Sequence, residues 1–147
     1  MKIFLGADHG GFKYKEALLG YLQSKKFDVE DMGAPTYDES DDFPQYAYAV
    51  ATKVLGEDDA RGILLCGSGQ GMAMAANRVR GIRASVVWSR ELAEETREDN
   101  DSNVLSIPAR FIPLEEMIAI VDAWLATPFS NNPKYHRRID EVEQIYG

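Results

Sequence analysis

Five short apolar runs, separated by stretches of helical periodicity, limit this chain to one class of fold. The runs are Lys2–Gly6, Phe27–Met32, Arg61–Cys66, Ile82–Val87 and Asn103–Ile107, each of strand rather than helix length. Between them, Phe12–Lys25 carries Leu18, Leu19 and Leu22 on one side, and Pro44 suits the first turn of a helix reaching about Leu55. A third helix is expected from about Met72. A fourth is capped by Ser89 and runs through about Arg97 with Leu92 inward, and a fifth spans Pro113–Thr127 with Met117, Ile118, Val121 and Leu125 inward. Strands that alternate with helices predict a parallel sheet covered on both faces, because each crossover lays a helix on the sheet. A last helix, Lys134–Tyr146, follows the break at Pro128–Pro133 and is expected to stand outside the core, against a partner subunit. Gly33–Phe43 reads as a loop with an acidic run, Asp38-Glu39-Ser40-Asp41-Asp42.

At 147 residues and 45% apolar, the chain is expected to form a single domain over 1–147 with a substantial core. Its net charge of −8 argues against broad nucleic-acid binding, which needs a basic face. The single cysteine allows no internal disulfide, which points to a reducing, cytoplasmic setting. The stretch Ile3-Phe4-Leu5 is too short for a signal peptide, and no run approaches the roughly 18 apolar residues of a membrane span.

Four groups of residues carry candidate chemistry. Ile63-Leu64-Leu65-Cys66 leads into Gly67-Ser68-Gly69-Gln70-Gly71 and then a helix. Strand, glycine loop and helix start form a backbone anion site, where N–H groups and the helix dipole converge on a negative oxygen. A lone cysteine is commonly a small apolar core residue. The flexible loop and hydroxyl beside Cys66 favour instead a base or nucleophile whose pKa the same field draws toward neutrality. Asp8 and His9, in Gly6-Ala7-Asp8-His9-Gly10-Gly11, read either as a tight turn with Asp8 capping a helix or as site residues at the same sheet edge. Glu98–Asn103 reads as an acidic, solvated turn. Arg110, Lys134, Arg137 and Arg138 are either a solvated face or a phosphate seat, in which a guanidinium can bind bidentately. The loop matches neither the Walker A nor the dinucleotide pattern, and no paired-ligand spacing suggests a metal.

Taken together these motifs resemble the type B ribose-5-phosphate isomerases and their galactose-6-phosphate and allose-6-phosphate relatives. The resemblance rests on Gly6–Lys13, Asp42-Phe43-Pro44, Gly62–Gly71, Ala75–Arg78 with Gly81–Ala84, Asn100–Leu105 and Ile120–Leu125, in order and nearly end to end. It implies a Rossmann-like three-layer α/β/α sandwich with an extra C-terminal helix. It also implies a homodimer or tetramer with its sites at a subunit interface, and cofactor-free aldose–ketose interconversion of a phosphorylated sugar, with no metal. On this chain Cys66 takes the place of the base between C1 and C2, Gly67, Gly69, Gln70 and Gly71 that of the enediolate's anion hole, and Ser68 that of a proton shuttle. Asp8, His9, Asn100 and Arg110 match substrate contacts, and Lys134 and Arg138 a phosphate pair. Members without the cysteine use a glutamate where this chain has Met72. The acid that opens the sugar ring is usually a histidine, and here that position is Asp99. Ribose 5-phosphate is the substrate the resemblance implies. Asp99 leaves room for a tetrose or hexose phosphate, and a non-catalytic sugar-phosphate-binding module is the competing class.

Overall fold

The computed structural model describes residues 1–145, and Tyr146, the end of the last expected helix, lies outside them. The elements run β1 (Lys2–Ala7), α1 (Phe12–Ser24), β2 (Asp28–Asp31), α2 (Pro44–Gly56), β3 (Ala60–Cys66), α3 (Gln70–Asn77), β4 (Ala84–Val86), α4 (Arg90–Asn100), β5 (Val104–Pro108), α5 (Leu114–Ala126) and α6 (Pro133–Ile145). The strands form one parallel sheet in the order β2-β1-β3-β5-β4. The expected three-layer α/β/α sandwich is the observed one.

Alternation along β1 shows why the layers form. Ile3, Leu5 and Ala7 point to one face, where Leu18 and Leu22 of α1 and Met117, Ile120, Val121 and Trp124 of α5 close the core. Phe4 points to the other, with Val50 and Val54 of α2, Met72 and Ala76 of α3, and Cys66. Full burial of such side chains contributes about 1.5–3 kcal/mol each. Among the described residues, no helix is long and apolar enough to cross a membrane.

Three boundaries differ from expectation. The run Glu98-Asp99-Asn100 is the last turn of α4, not a loose turn before β5. Asp101, left-handed at φ 46°, ends the helix by donating its N–H to Arg97 and Thr96 carbonyls. The Arg97 guanidinium locks that end, with Nη1 on Asp101 Oδ1 at 2.8 Å and on the Ser102 carbonyl at 2.6 Å. β4 is shorter than expected because Gly81, at φ 93°, and the bond from Ile82 N–H to the Val79 carbonyl make a turn of its first residues. Helix α3 starts at Gln70 rather than Met72.

Helix α6 buries no side chain, as expected of an appendage, and leaves Val142 and Ile145 exposed. It touches the body through Glu143, whose Oε1 accepts from Arg83 Nη1 at 2.9 Å.

Candidate active site

Three neighbouring strands end side by side. Ala7 pairs with Leu65 and Cys66 with Pro108, so the residues following β1, β3 and β5 emerge at one level. From β1 the chain crosses to β2 on one side and returns to β3 on the other. The connections therefore diverge between β1 and β3 and leave a crevice, where open α/β sheets bind ligands. Asp8, His9, Cys66, Gly67, Ser68 and Arg110 line the open cleft there, of about 370 Å³.

The loop is held tightly. Gly69 has φ +74°, and an added Cβ would meet the Pro108 nitrogen at 3.1 Å, so only glycine fits without strain. Ser106 Oγ donates to the Gly69 carbonyl at 2.6 Å. Gly69 N–H in turn donates to Cys66 Sγ at 3.1 Å. Ser68 faces the cleft, its Oγ accepting the Gln70 N–H at 3.3 Å. A Cβ on Gly10 would come within 2.8 Å of the Gly67 nitrogen, which shows how closely the first βα turn approaches the glycine loop.

The Cys66 thiol does not behave as the loop suggests. Burial pushes its pKa up from the ordinary thiol value and the Asp8 carboxylate adds to this. The N–H groups of Met72, Gly69 and Ser68 oppose the shift without reversing it. The expected fall toward neutrality is therefore corrected. At 5% exposure the sulfur has lost more hydration than three amide donors return. Asp8 is also shifted upward by burial, against the pull of His9 and the N–H groups of Gly10 and Gly11. Its Oδ1 accepts the Gly10 N–H at 2.9 Å, and the N-cap of α1 is Gly11, so Asp8 is a cleft residue and not the helix cap.

Sequence reasoning missed Asp41. It falls in the acidic run of the Gly33–Phe43 loop, yet its carboxylate is almost wholly buried and bonded to His9 Nδ1 at 2.8 Å. No periodicity marks such a residue, and its one signal is its position immediately before Asp42-Phe43-Pro44. Lys15 was missed too. Fully buried on α1, its Nζ bonds both oxygens of Asp31 at 2.9 and 2.8 Å and the Ala34 carbonyl at 2.7 Å, tethering the start of the loop that carries Asp41.

The other predicted residues divide into two groups. Gly71 sits under the Phe43 ring at the cleft. Arg110 reaches back over the glycine loop, so that a Cβ on Gly67 would meet its Nη1 at 2.8 Å. Gln70 faces a neighbouring apolar surface with Trp88 and Phe111. Asp99 and Asn100 are not at this cleft. They lie at the amino end of the sheet, where the Asn100 carbonyl accepts from Arg83 Nε at 3.0 Å and the Asn103 carbonyl accepts the Gly62 N–H. Four strand steps from Gly62 to Cys66 span roughly 13 Å. Lys134, Arg137 and Arg138 lie on α6, whose Glu143 bonds Arg83 at that same end. One chain thus separates the candidates into a thiol cleft and a remote set.

Asp8, His9 and Asp41 bring one ligand atom each within 4.8 Å of one another. Each carboxylate already accepts N–H bonds there, Asp8 from Gly10 and Asp41 from His9, so the group reads as a hydrogen-bonded ion pair rather than a built cation cage.

A doubly covered parallel sheet, with thiol, carboxylate, imidazole and guanidinium around a glycine loop at its switch point, defines an open α/β enzyme for a small anionic ligand. Comparison with known proteins narrows the class. The model of the Ribose/Galactose Isomerase family matches residues 3–142. The ribose-5-phosphate isomerase B of Mycolicibacterium paratuberculosis is 41% identical over 140 residues, 95% of this chain and 88% of that protein. Among solved structures, the ribose-5-phosphate isomerase B of Mycoplasma genitalium with bound ribulose-5-phosphate superposes with a TM-score of 0.94 at 38% identity, covering 99% of this chain and 95% of that one. The Thermotoga maritima enzyme of the same name gives 0.93 at 40% identity, covering 97% of each. The chain belongs to the ribose/galactose isomerase family.

Proposed function

We propose that the chain interconverts ribose 5-phosphate and ribulose 5-phosphate without a cofactor, through Cys66, in a site assembled from two copies of the chain. The observation that carries the chemistry is Cys66 Sγ at the cleft floor, bonded to the glycine loop and flanked by Ser68. In the open-chain aldose, the Cys66 thiolate takes the C2 proton and the C=O electrons move to O1. The O2 proton passes to O1 through Ser68, and the Cys66 thiol returns its proton to C1. Atoms and charge balance with no outside reagent. Backbone N–H groups of the Gly67–Gly71 loop are fixed before reaction, and one such donor is typically worth roughly 3 kcal/mol to a developing oxyanion.

The separation of Asp99, Asn100, Lys134 and Arg138 from the cleft supports a homodimer, or a tetramer built from it. A second copy in opposed orientation offers its amino-end residues to the first copy's cleft. Trp88, Phe111 and Met74, exposed at 60%, 75% and 68%, supply apolar surface beside the loop for that copy. The need for a reduced Cys66 thiol supports a cytoplasmic setting.

Turnover of ribose 5-phosphate in heavy water tests the reading. Deuterium is expected at C1 of the product, because the thiol exchanges with solvent between removing and returning the proton. A sugar phosphate that binds but keeps its C2 hydrogen would make the chain a binding module.

Asp99 favours a second reading, an open-chain tetrose phosphate or a hexose phosphate as substrate. An aspartate side chain has no ring N–H of the kind an imidazole can donate to a sugar's ring oxygen, so it is a poor replacement for a ring-opening histidine. Asp99→His is expected to raise kcat on ribose 5-phosphate and leave an open-chain tetrose phosphate unchanged. A fall on both substrates would show that Asp99 has a role of its own.

A further inference from the structure

Asp41 has an unusual pair of bonds. Its Oδ1 accepts from His9 twice, from the backbone N–H at 3.2 Å and from ring Nδ1 at 2.8 Å. The ring is thereby fixed to its own main chain, with χ rotation blocked at both ends of the side chain. The Asp41 side chain is 4% exposed, and its Oδ2 is buried with no hydrogen-bond partner. A carboxylate so enclosed calls for a compensating charge, and among the described residues the group bonded to it that can carry one is the His9 ring when protonated. With Nδ1 committed, Nε2 alone is left for a ligand.

Arg110 stands across from it. The guanidinium lies over Gly67, and among the described residues it makes no ion pair. His9 and Arg110 together border the thiol cleft and the adjoining hollow formed with Lys13 and Tyr37. Two cations that repel each other across a cleft, each with donors unspent, are arranged for an anion between them. We propose that Asp41 is a positioning residue, which holds His9 by Nδ1 so that Nε2 and the Arg110 guanidinium form a two-cation seat for the substrate's phosphate.

The surrounding charges agree. The Asp41 bond holds His9 protonated to higher pH than a free imidazole, aided by the charges of Asp8 and Asp41 and opposed by burial and Arg110. Asp38 also lies near, its own carboxyl held low by Ser40 bonds and by His9. Tyr37 packs edge-on to the ring at 6.3 Å, and the hydroxyl of half-buried Tyr46 faces Asp41, Asp38 and Asp8 and is pushed up mainly by burial. The sign follows: the seat is complete while His9 is protonated and is lost as pH rises through its elevated pKa.

The inference rests on the sugar-phosphate reading, and its test is independent of turnover. The chain has two histidines, so two sets of ring signals appear in an NMR titration, and His9→Asn assigns them. In the wild-type protein, inorganic phosphate is expected to move the His9 midpoint to higher pH. In Asp41→Asn the His9 midpoint falls while that of His136 stays. KM for ribose 5-phosphate and the inhibition constant for inorganic phosphate both rise about tenfold, as for one charge-assisted contact, with kcat within about twofold. Adding His9→Asn to that variant produces little further loss. Wild-type His9 signals indifferent to phosphate overturn the proposal, even if Asp41→Asn fails to fold. A variant with unchanged His9 titration, or one that loses kcat with KM intact, overturns it equally. Absence of isomerase activity in the wild type sinks the enzymatic reading and leaves the NMR arm to decide on Asp41.

Discussion

Cys66→Ala is expected to lower isomerisation by at least about 10²-fold, the usual contribution of a positioned acid–base group. The fold survives, because alanine fits a site of 5% exposure in the apolar layer with Phe4, Leu64 and Met72. The cost in stability is on the order of 1 kcal/mol, because Gly69 N–H loses the sulfur it now bonds at 3.1 Å. Inorganic phosphate binding is retained, since Arg110 and His9 do not touch the lost atom. Activity above about a tenth of wild type would name another base, and Asp8 is the group to examine. It shares the cleft, and burial holds its carboxyl above the ordinary carboxylate value. The thiol's own protonation can be read separately. Its pKa is raised, so the thiolate is a minor species at neutrality and grows as pH rises. Alkylation of Cys66 in the free protein is therefore expected to speed up about tenfold per pH unit from 7 toward 9. A plateau at or below neutrality would show a thiolate already formed.

The fold was largely legible because periodicity reports burial. β1, β3 and β5 read as apolar runs since both their faces are covered, and Pro44 and Ser89 mark helix starts for local reasons, the latter by accepting the Leu92 N–H at 3.2 Å. The end of α4 is not legible because polar residues say nothing of helix length when a buried guanidinium of the helix itself, that of Arg97, sets the stop. The thiol cleft was legible for its glycines, placed where backbone approaches backbone, a ring or the Arg110 guanidinium. Its electrostatics were not. Loop and helix suggest a lowered Cys66, whereas the decisive quantity is how little water reaches the sulfur, a property of the packed layers. Asp41 and Lys15 stayed hidden for the same reason: a charged residue in sequence reads as solvated, and only the tertiary structure shows its burial. The remote set was legible as chemistry but not as location, since chain order does not say that the end of α4 and the end of β3 lie at opposite edges of one sheet.

That opposition leads to the prediction with the clearest outcome. Arg138→Ala is expected to raise KM strongly, leaving little activity at substrate well below KM, and Cys66→Ala is expected to be nearly inactive. If the cleft of one copy is completed by α6 of another, a mixture of the two inactive proteins recovers function. Unfolded together and refolded at equal amounts, half the dimers are mixed. In each mixed dimer one cleft holds an intact Cys66 and faces an intact Arg138, while the other lacks both. The mixture is then expected to regain about a quarter of wild-type activity, and the purified mixed dimer about half. The physical ground is the distance within one copy: Arg138 lies on a helix tied through Glu143 to Arg83, at the amino end of the sheet, while Cys66 ends β3 at the other. No recovery in mixed dimers would mean that each cleft is completed by its own α6, and the assembly from two copies would have to be abandoned.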